Sequence, residues 1–130
     1  MTAYSTTNLR ALPDSASKAG LAPAMEARFA RVPLACERTG LSLQRIAPGE
    51  RQPFGHRHHD SEEIYVVLAG SGRANLDGEI VTLRQWDAIR IGARTMRCFE
   101  AGPDGLEFIA YGAGTPGLED VEAEPGWWAD

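Results

Sequence analysis

Pro53-Phe54-Gly55-His56-Arg57-His58-His59-Asp60-Ser61-Glu62-Glu63 leads directly into Ile64-Tyr65-Val66-Val67-Leu68-Ala69-Gly70. All three histidines of the chain fall in the first of these segments. The second is dense in β-branched and aromatic residues and reads as a strand over residues 63–69. Side chains two apart on a strand share a face. On a strand, His56 and His58 aim together, as two imidazoles must to share a metal or a ligand. By the same alternation Glu63, Tyr65 and Val67 share one face of the following strand. Glu62 takes the opposite one and reads as a solvated carboxylate.

Working outward from this stretch, short strands alternate with turn residues. Leu41, Leu43 and Arg45 alternate with Ser42, Gln44 and Ile46 up to Pro48-Gly49. Gly70-Ser71-Gly72 reads as a turn. Residues 73–76 and 79–83 flank Asp77-Gly78, the strongest short-range hairpin signal in the chain. Residues 88–91 follow a turn at Gln85-Trp86-Asp87, and residues 96–100 and 106–111 are separated by a glycine-rich turn over residues 101–105. Many short strands at near-regular spacing predict an all-β sandwich or barrel. Residues 1–24 read as an N-terminal arm, with a short strand near residues 4–9 and a brief helix capped by Asp14. Residues 25–31, lying between Pro23 and Pro33, fit either a short strand or a single helical turn. The barrel is expected over residues 25–115, with residues 116–130 as a tail packed against it.

Composition bounds the function. A chain of 130 residues fits one domain and buries a core without help from disulfides or metal. The formal charge of -5 offers no basic footprint for nucleic acid. No apolar run is long enough to span a bilayer. The N-terminus shows no basic-then-apolar signal pattern, so a cytoplasmic location is expected. Cys36 and Cys98 are too few and too far apart for a zinc site and read as small core hydrophobes.

The central stretch resembles the first motif of the cupin superfamily, which joins a glycine, a His-x-His pair, a glutamate, an apolar strand and a second glycine. Gly49, His56, His58, Glu63 and Gly70 take those roles. The interval from Gly49 to His56 is one residue longer than the usual form. The resemblance covers roughly residues 41–111 and implies a single-domain, all-β jelly-roll barrel. It also implies a divalent metal (Fe, Mn, Zn or Ni) on His56, His58 and Glu63. Two imidazoles and one carboxylate form a facial triad with open positions.

The second cupin motif is where the chain departs. Trp86-Asp87 replaces the usual Gly-Asp, and Gly92-Ala93-Arg94 stands in for a Pro-x-Gly turn. Arg97 falls where the resemblance places a fourth, histidine ligand. A permanent cation about 4 Å from a divalent ion, at an effective dielectric near 20, is repelled by roughly 8 kcal/mol. Three arrangements meet that cost. Arg97 turns away, or holds an anionic substrate group beside the metal, or forks bidentately onto Glu63 in a metal-free barrel. His59, next to His58, faces outward on a continuing strand, or swings inward as a replacement ligand if the strand ends at His58.

Two functions are consistent with these residues. The first is a metal-dependent oxygenase or isomerase acting on a small polar or anionic metabolite. Arg97 would orient an anionic or carbonyl group, Tyr65 would donate a hydrogen bond, and Phe99 would supply an apolar wall against the substrate. The second is a metal-free, non-catalytic binding module with a Glu63–Arg97 ion pair in its pocket. Exposed sheet edges need covering, so a homodimer is the expected assembly.

Overall fold

The computed structural model describes residues 3–113 and 120–130. Among them, eight strands form one antiparallel sheet that curls around its own core. β1 (Met25–Phe29), β2 (Thr39–Ile46), β7 (Arg97–Ala113), β3 (Phe54–His58) and β8 (Val121–Pro125) lie side by side in that order. β4 (Glu63–Leu76) pairs with β5 (Glu79–Arg84), with β6 (Ala88–Ile91) and along most of β7. β7 is thus the hub of the sheet. Ile46↔Leu106 and Leu41↔Tyr111 bind it to β2, Glu63↔Gly112 and Leu76↔Arg97 to β4, and His56↔Arg97 to β3.

Alternation along these strands builds the core. Ile46, Tyr65, Val67, Ile91, Phe99, Leu106 and Phe108 are almost fully buried in one cluster. The Phe99 and Phe108 rings stack at 5.1 Å, and Tyr65 lies 4.8 Å from Phe99. Each large apolar side chain removed from water contributes about 1.5–3 kcal/mol, so this cluster dominates the favourable side of folding.

Several local expectations hold. Asp77 and Gly78 both have positive φ (52° and 98°), the type I′ geometry that a two-residue hairpin needs, and Leu76 pairs with Glu79. Asp14 caps the helix α1 (Ser15–Lys18) by accepting from Ala16 N at 3.0 Å. The same Asp14 oxygen accepts from Ala27 N at 2.9 Å, which fastens the arm to β1. Ala16, Leu21, Met25 and Ala27 close that junction with a second apolar cluster. The segment open to either reading, after Pro23, is the strand β1.

Other expectations are corrected. No strand forms over residues 4–9. Instead the Asn8 side chain accepts from Arg10 N and opens a single 3-10 turn at Leu9–Ala11. Gly70-Ser71-Gly72 does not reverse the chain, and neither does the segment over residues 101–105. β4 and β7 run straight through them, with register shifts at Val67/Ala69 and Gly70/Gly72. Gly70 (φ +78°) and Gly105 (φ +82°) face one another across this irregularity. A Cβ on Gly70 would lie 2.0 Å from Gly105 O, so glycine there admits close backbone approach rather than a turn. Part of the C-terminal tail is strand β8, paired with all of β3 from Phe54↔Pro125 to His58↔Val121.

Candidate functional site

β3 lies between β7 and β8, so its two faces are fixed from both edges. The alternating series Gln52, Phe54, His56 and His58 lines one cavity. His56 and His58 project from the same face, with ring centroids 5.3 Å apart and nearly perpendicular. Glu63 opens β4 on the facing side. It sits opposite Gly112, where a Cβ would come within 3.2 Å of the Glu63 side chain.

Glu63 Oε1 is the meeting point. Tyr65 OH donates to it at 2.6 Å and Arg97 Nη1 at 2.8 Å. His58 Nε2 stands 3.1 Å away and His56 Nε2 3.7 Å. Burial pushes the Glu63 carboxyl up. The His56 contact and the His58 and Tyr65 hydrogen bonds outweigh it and hold the carboxyl well below the usual range. The buried Tyr65 phenol, beside that carboxylate, is pushed well above its ordinary value.

Asp120, just before β8, holds the other side of His58. Its Oδ1 is 2.9 Å from His58 Nδ1, and its Oδ2 accepts from the Ser61 hydroxyl at 2.8 Å and from Ser61 N at 3.2 Å. Burial raises Asp120, but the His58 and Ser61 bonds bring it down to about 2. For His58, burial lowers the imidazole and the bonds to Glu63 and Asp120 outweigh it, leaving its value raised.

This flanking has a chemical consequence. A carboxylate only accepts, and both carboxylates beside His58 are held ionised. Each ring nitrogen of His58 therefore needs a positive partner. Either both carry protons, or Nδ1 keeps its proton on Asp120 while Nε2 meets a metal ion. The donor set fits a metal. The His56, His58 and Glu63 ligand atoms all lie within 4.8 Å of one another. Ligands about 2.0–2.2 Å from one ion stand about 3.0–3.4 Å apart, close to the spacings found around Glu63 Oε1. A carboxylate behind a ligating histidine is the usual device for fixing its tautomer.

The cavity has a volume of about 290 Å³. His56, His58, Glu63 and Tyr65 form its polar end. Leu21, Met25 and Ala27 from the arm and β1, with Phe29 and Phe54, line the remainder together with Ser42, Gln44 and Gln52.

The other expected site residues are placed differently. Arg97 has no solvent exposure and does not line the cavity. It does not fork onto Glu63. Nη1 takes the carboxylate and Nη2 donates to Gly92 O at 2.7 Å, because Gly92 follows β6, which pairs with the start of β4. Its route to a ligand is through Glu63 alone. Tyr65 lines the cavity, but its hydroxyl proton is committed to Glu63. Phe99 packs in the aromatic stack behind Tyr65 rather than on the cavity wall. His59 points outward, half exposed, between Glu122 and Arg94, so it is no replacement ligand. Glu62 is exposed and paired with Arg90.

Two residues escaped the sequence reading. Asp120 lies far from His58 in the chain and gives no local signal. Gln52 could have been found by extending the His58, His56, Phe54 alternation back two residues.

A curled antiparallel sheet with two imidazoles and a carboxylate facing its interior defines a class of small β-barrel proteins with a central site. The Cupin domain family matches residues 42–109, more than half of the chain, and the chain belongs to the cupin superfamily. A cupin protein from Bacteroides fragilis is 25% identical, with TM-score 0.72 over 92% of this chain and 91% of that one. The polyketide cyclase RemF from Streptomyces resistomycificus is 17% identical, with TM-score 0.72 over 97% and 87%. A salicylate 1,2-dioxygenase from Pseudaminobacter salicylatoxidans is 14% identical, with TM-score 0.62 over 75% of this chain and 30% of that one. No curated protein matches the sequence. No helix among the described residues is long and apolar enough to cross a membrane.

Proposed function

We propose that this cupin holds one divalent metal ion on His56, His58 and Glu63 and binds a small oxygen-bearing molecule in the cavity above it. The observation that carries this reading is His58, whose two ring nitrogens each face an ionised carboxylate. Such a bound ion would supply a Lewis-acid centre with positions left open for a ligand. The residues of the chain do the rest. Asp120 orients His58, Tyr65 and Arg97 hold the Glu63 carboxylate in place, and the arm and β1 cover the cavity with apolar side chains. Oxygenation or isomerisation of the bound molecule is the reaction class this donor set suits. Structural neighbours whose names include a cyclase and a dioxygenase support a cupin site open to several chemistries, without choosing one.

A second reading rests on a different observation, the 2.8 Å bond from Arg97 to Glu63. With His58 doubly protonated, the site is balanced without metal and the cavity binds a ligand without turnover. Elemental analysis after loading with Fe(II), Mn(II), Zn(II) or Ni(II) separates the two. The metal reading expects one ion per chain, lost in His56→Ala. Failure to take up any of the four would leave the metal-free module.

A further inference from the structure

We propose that Gln52 is a ligand-contacting residue that presents a hydrogen-bond donor to an acceptor oxygen on the bound molecule, on the cavity wall beside Phe99. The proposal rests on the cavity of the preceding section but not on the metal.

Gln52 is 5% exposed and lines the cavity. Its backbone is locked into the sheet, with Gln52 N donating to Phe99 O at 2.9 Å. Its side chain is locked as well, with Phe99 N donating to Gln52 Oε1 at 2.9 Å. A backbone N–H is a donor only, so the atom it meets must be the amide oxygen. That fixes the orientation of the amide, and Nε2, with two hydrogens, is left over. Among the described residues Nε2 has no hydrogen-bond partner. Nε2 is not one of the fully buried atoms left without a partner, so it opens onto the cavity, where a ligand oxygen can meet it.

Position and surroundings narrow the ligand class. Gln52 lies just before β3, opposite Phe99, whereas His56 pairs with Arg97, so the two enter the cavity from points only two residues apart along β7. Phe54 lies between them, and Met25, Ala27 and Phe29 lie on β1. Among the described residues no lysine or arginine lines the cavity. The molecule that satisfies these walls is largely apolar, about the size of a single substituted ring. One oxygen function reaches the His56, His58 and Glu63 end, and a carbonyl-type oxygen meets Gln52. Arg97, from which a polar or anionic metabolite is expected, acts on the cavity only through Glu63 and does not line it.

A matched pair of probes tests it. 4-Hydroxyacetophenone carries a phenol at one end and a ketone oxygen at the other, and 4-ethylphenol lacks only the ketone oxygen. Calorimetry on the full chain is expected to show the ketone binding about tenfold tighter, the factor one added neutral hydrogen bond supplies. Gln52→Met is expected to bring the ratio to about one. Because both probes are compared in the same variant, a general loss of stability cancels. Should Gln52→Met fail to fold, the side-chain amide resonances of Gln52 in the unsubstituted protein give the answer. They should shift with the ketone and not with 4-ethylphenol. Equal affinities in the unsubstituted protein, an unchanged ratio in Gln52→Met, or a silent Gln52 amide would each overturn the assignment. The same titrations with and without added Zn(II) keep this outcome separate from the metal reading. A chain that takes up no metal but still prefers the ketone retains the Gln52 site.

Discussion

Arg97 Nη1 donates to Glu63 Oε1 at 2.8 Å from a side chain with no exposure to solvent. The cation sits where the resemblance to other cupins places a fourth histidine, and among the described residues its only carboxylate partner is a member of the proposed ligand triad. Structure and chemistry are therefore tied together at one oxygen atom.

Removing the carboxylate leaves the guanidinium buried and unpaired. Glu63→Leu is expected to lower stability by about 3–5 kcal/mol in urea unfolding, and adding Arg97→Met should restore most of the loss. A single-variant loss below about 1 kcal/mol would place this pair with ordinary surface pairs.

Arg97→Met alone should act in the opposite direction on metal. It deletes a positive charge beside the carboxylate while Tyr65 still holds Glu63 in place. Zn(II) affinity, measured by competition with a chromophoric chelator, is expected to rise at least about tenfold on Coulombic grounds. An unchanged affinity would show that the cation is not felt at the centre.

Asp120 touches His58 and not the proposed ion. Asp120→Asn keeps the side-chain shape but loses the charge, and should weaken Zn(II) binding by about 10–100-fold. Glu122→Gln, at a half-exposed residue paired with Arg57 away from the cavity, serves as the control and should leave affinity unchanged.

The metal-free protein should be most stable in mildly acidic solution. Glu63 and Asp120 are depressed in the fold, so the unfolded chain binds their protons more readily. Their stabilisation is present above the ordinary carboxylate range and fades as pH falls, for Asp120 toward about 2 and for Glu63 further still. His58 is raised, so its contribution is complete below its ordinary value of 6.5 and fades as pH climbs through the folded value. Thermal melts from pH 3 to 9 should show both flanks, and His58→Gln should abolish the alkaline one. With Zn(II) bound, the alkaline flank should vanish because the ion takes the place of the Nε2 proton.

Gly70→Ala should cost at least about 2 kcal/mol, since it forces a side chain into positive φ and against the facing carbonyl. Gly78→Ala has positive φ but open space around it, and should cost less.

Much of this was readable where the signal is local. Asp77-Gly78 states its turn type by itself, and the Val-Ile-Tyr run after Glu63 states its strand. His56 and His58 share a face by alternation, and the resemblance to the first cupin motif adds Glu63. Gly70 and Gly105 were misread because positive φ serves a turn and a bulge equally well. Only the opposite strand, invisible in a one-dimensional pattern, decides between them. Arg97 was placed next to Glu63, but its second partner, Gly92 O, depends on how β6 lies against β4. Asp120 reaches His58 through the β3–β8 pairing, a long-range event with no local trace.

That pairing also sets a timetable. During synthesis the histidines and Glu63 emerge early, while the carboxylate that orients His58 follows some sixty residues later. Until it arrives, the imidazole is free to choose either tautomer. On the metal reading, the oriented ligand set is therefore complete only once β8 has docked.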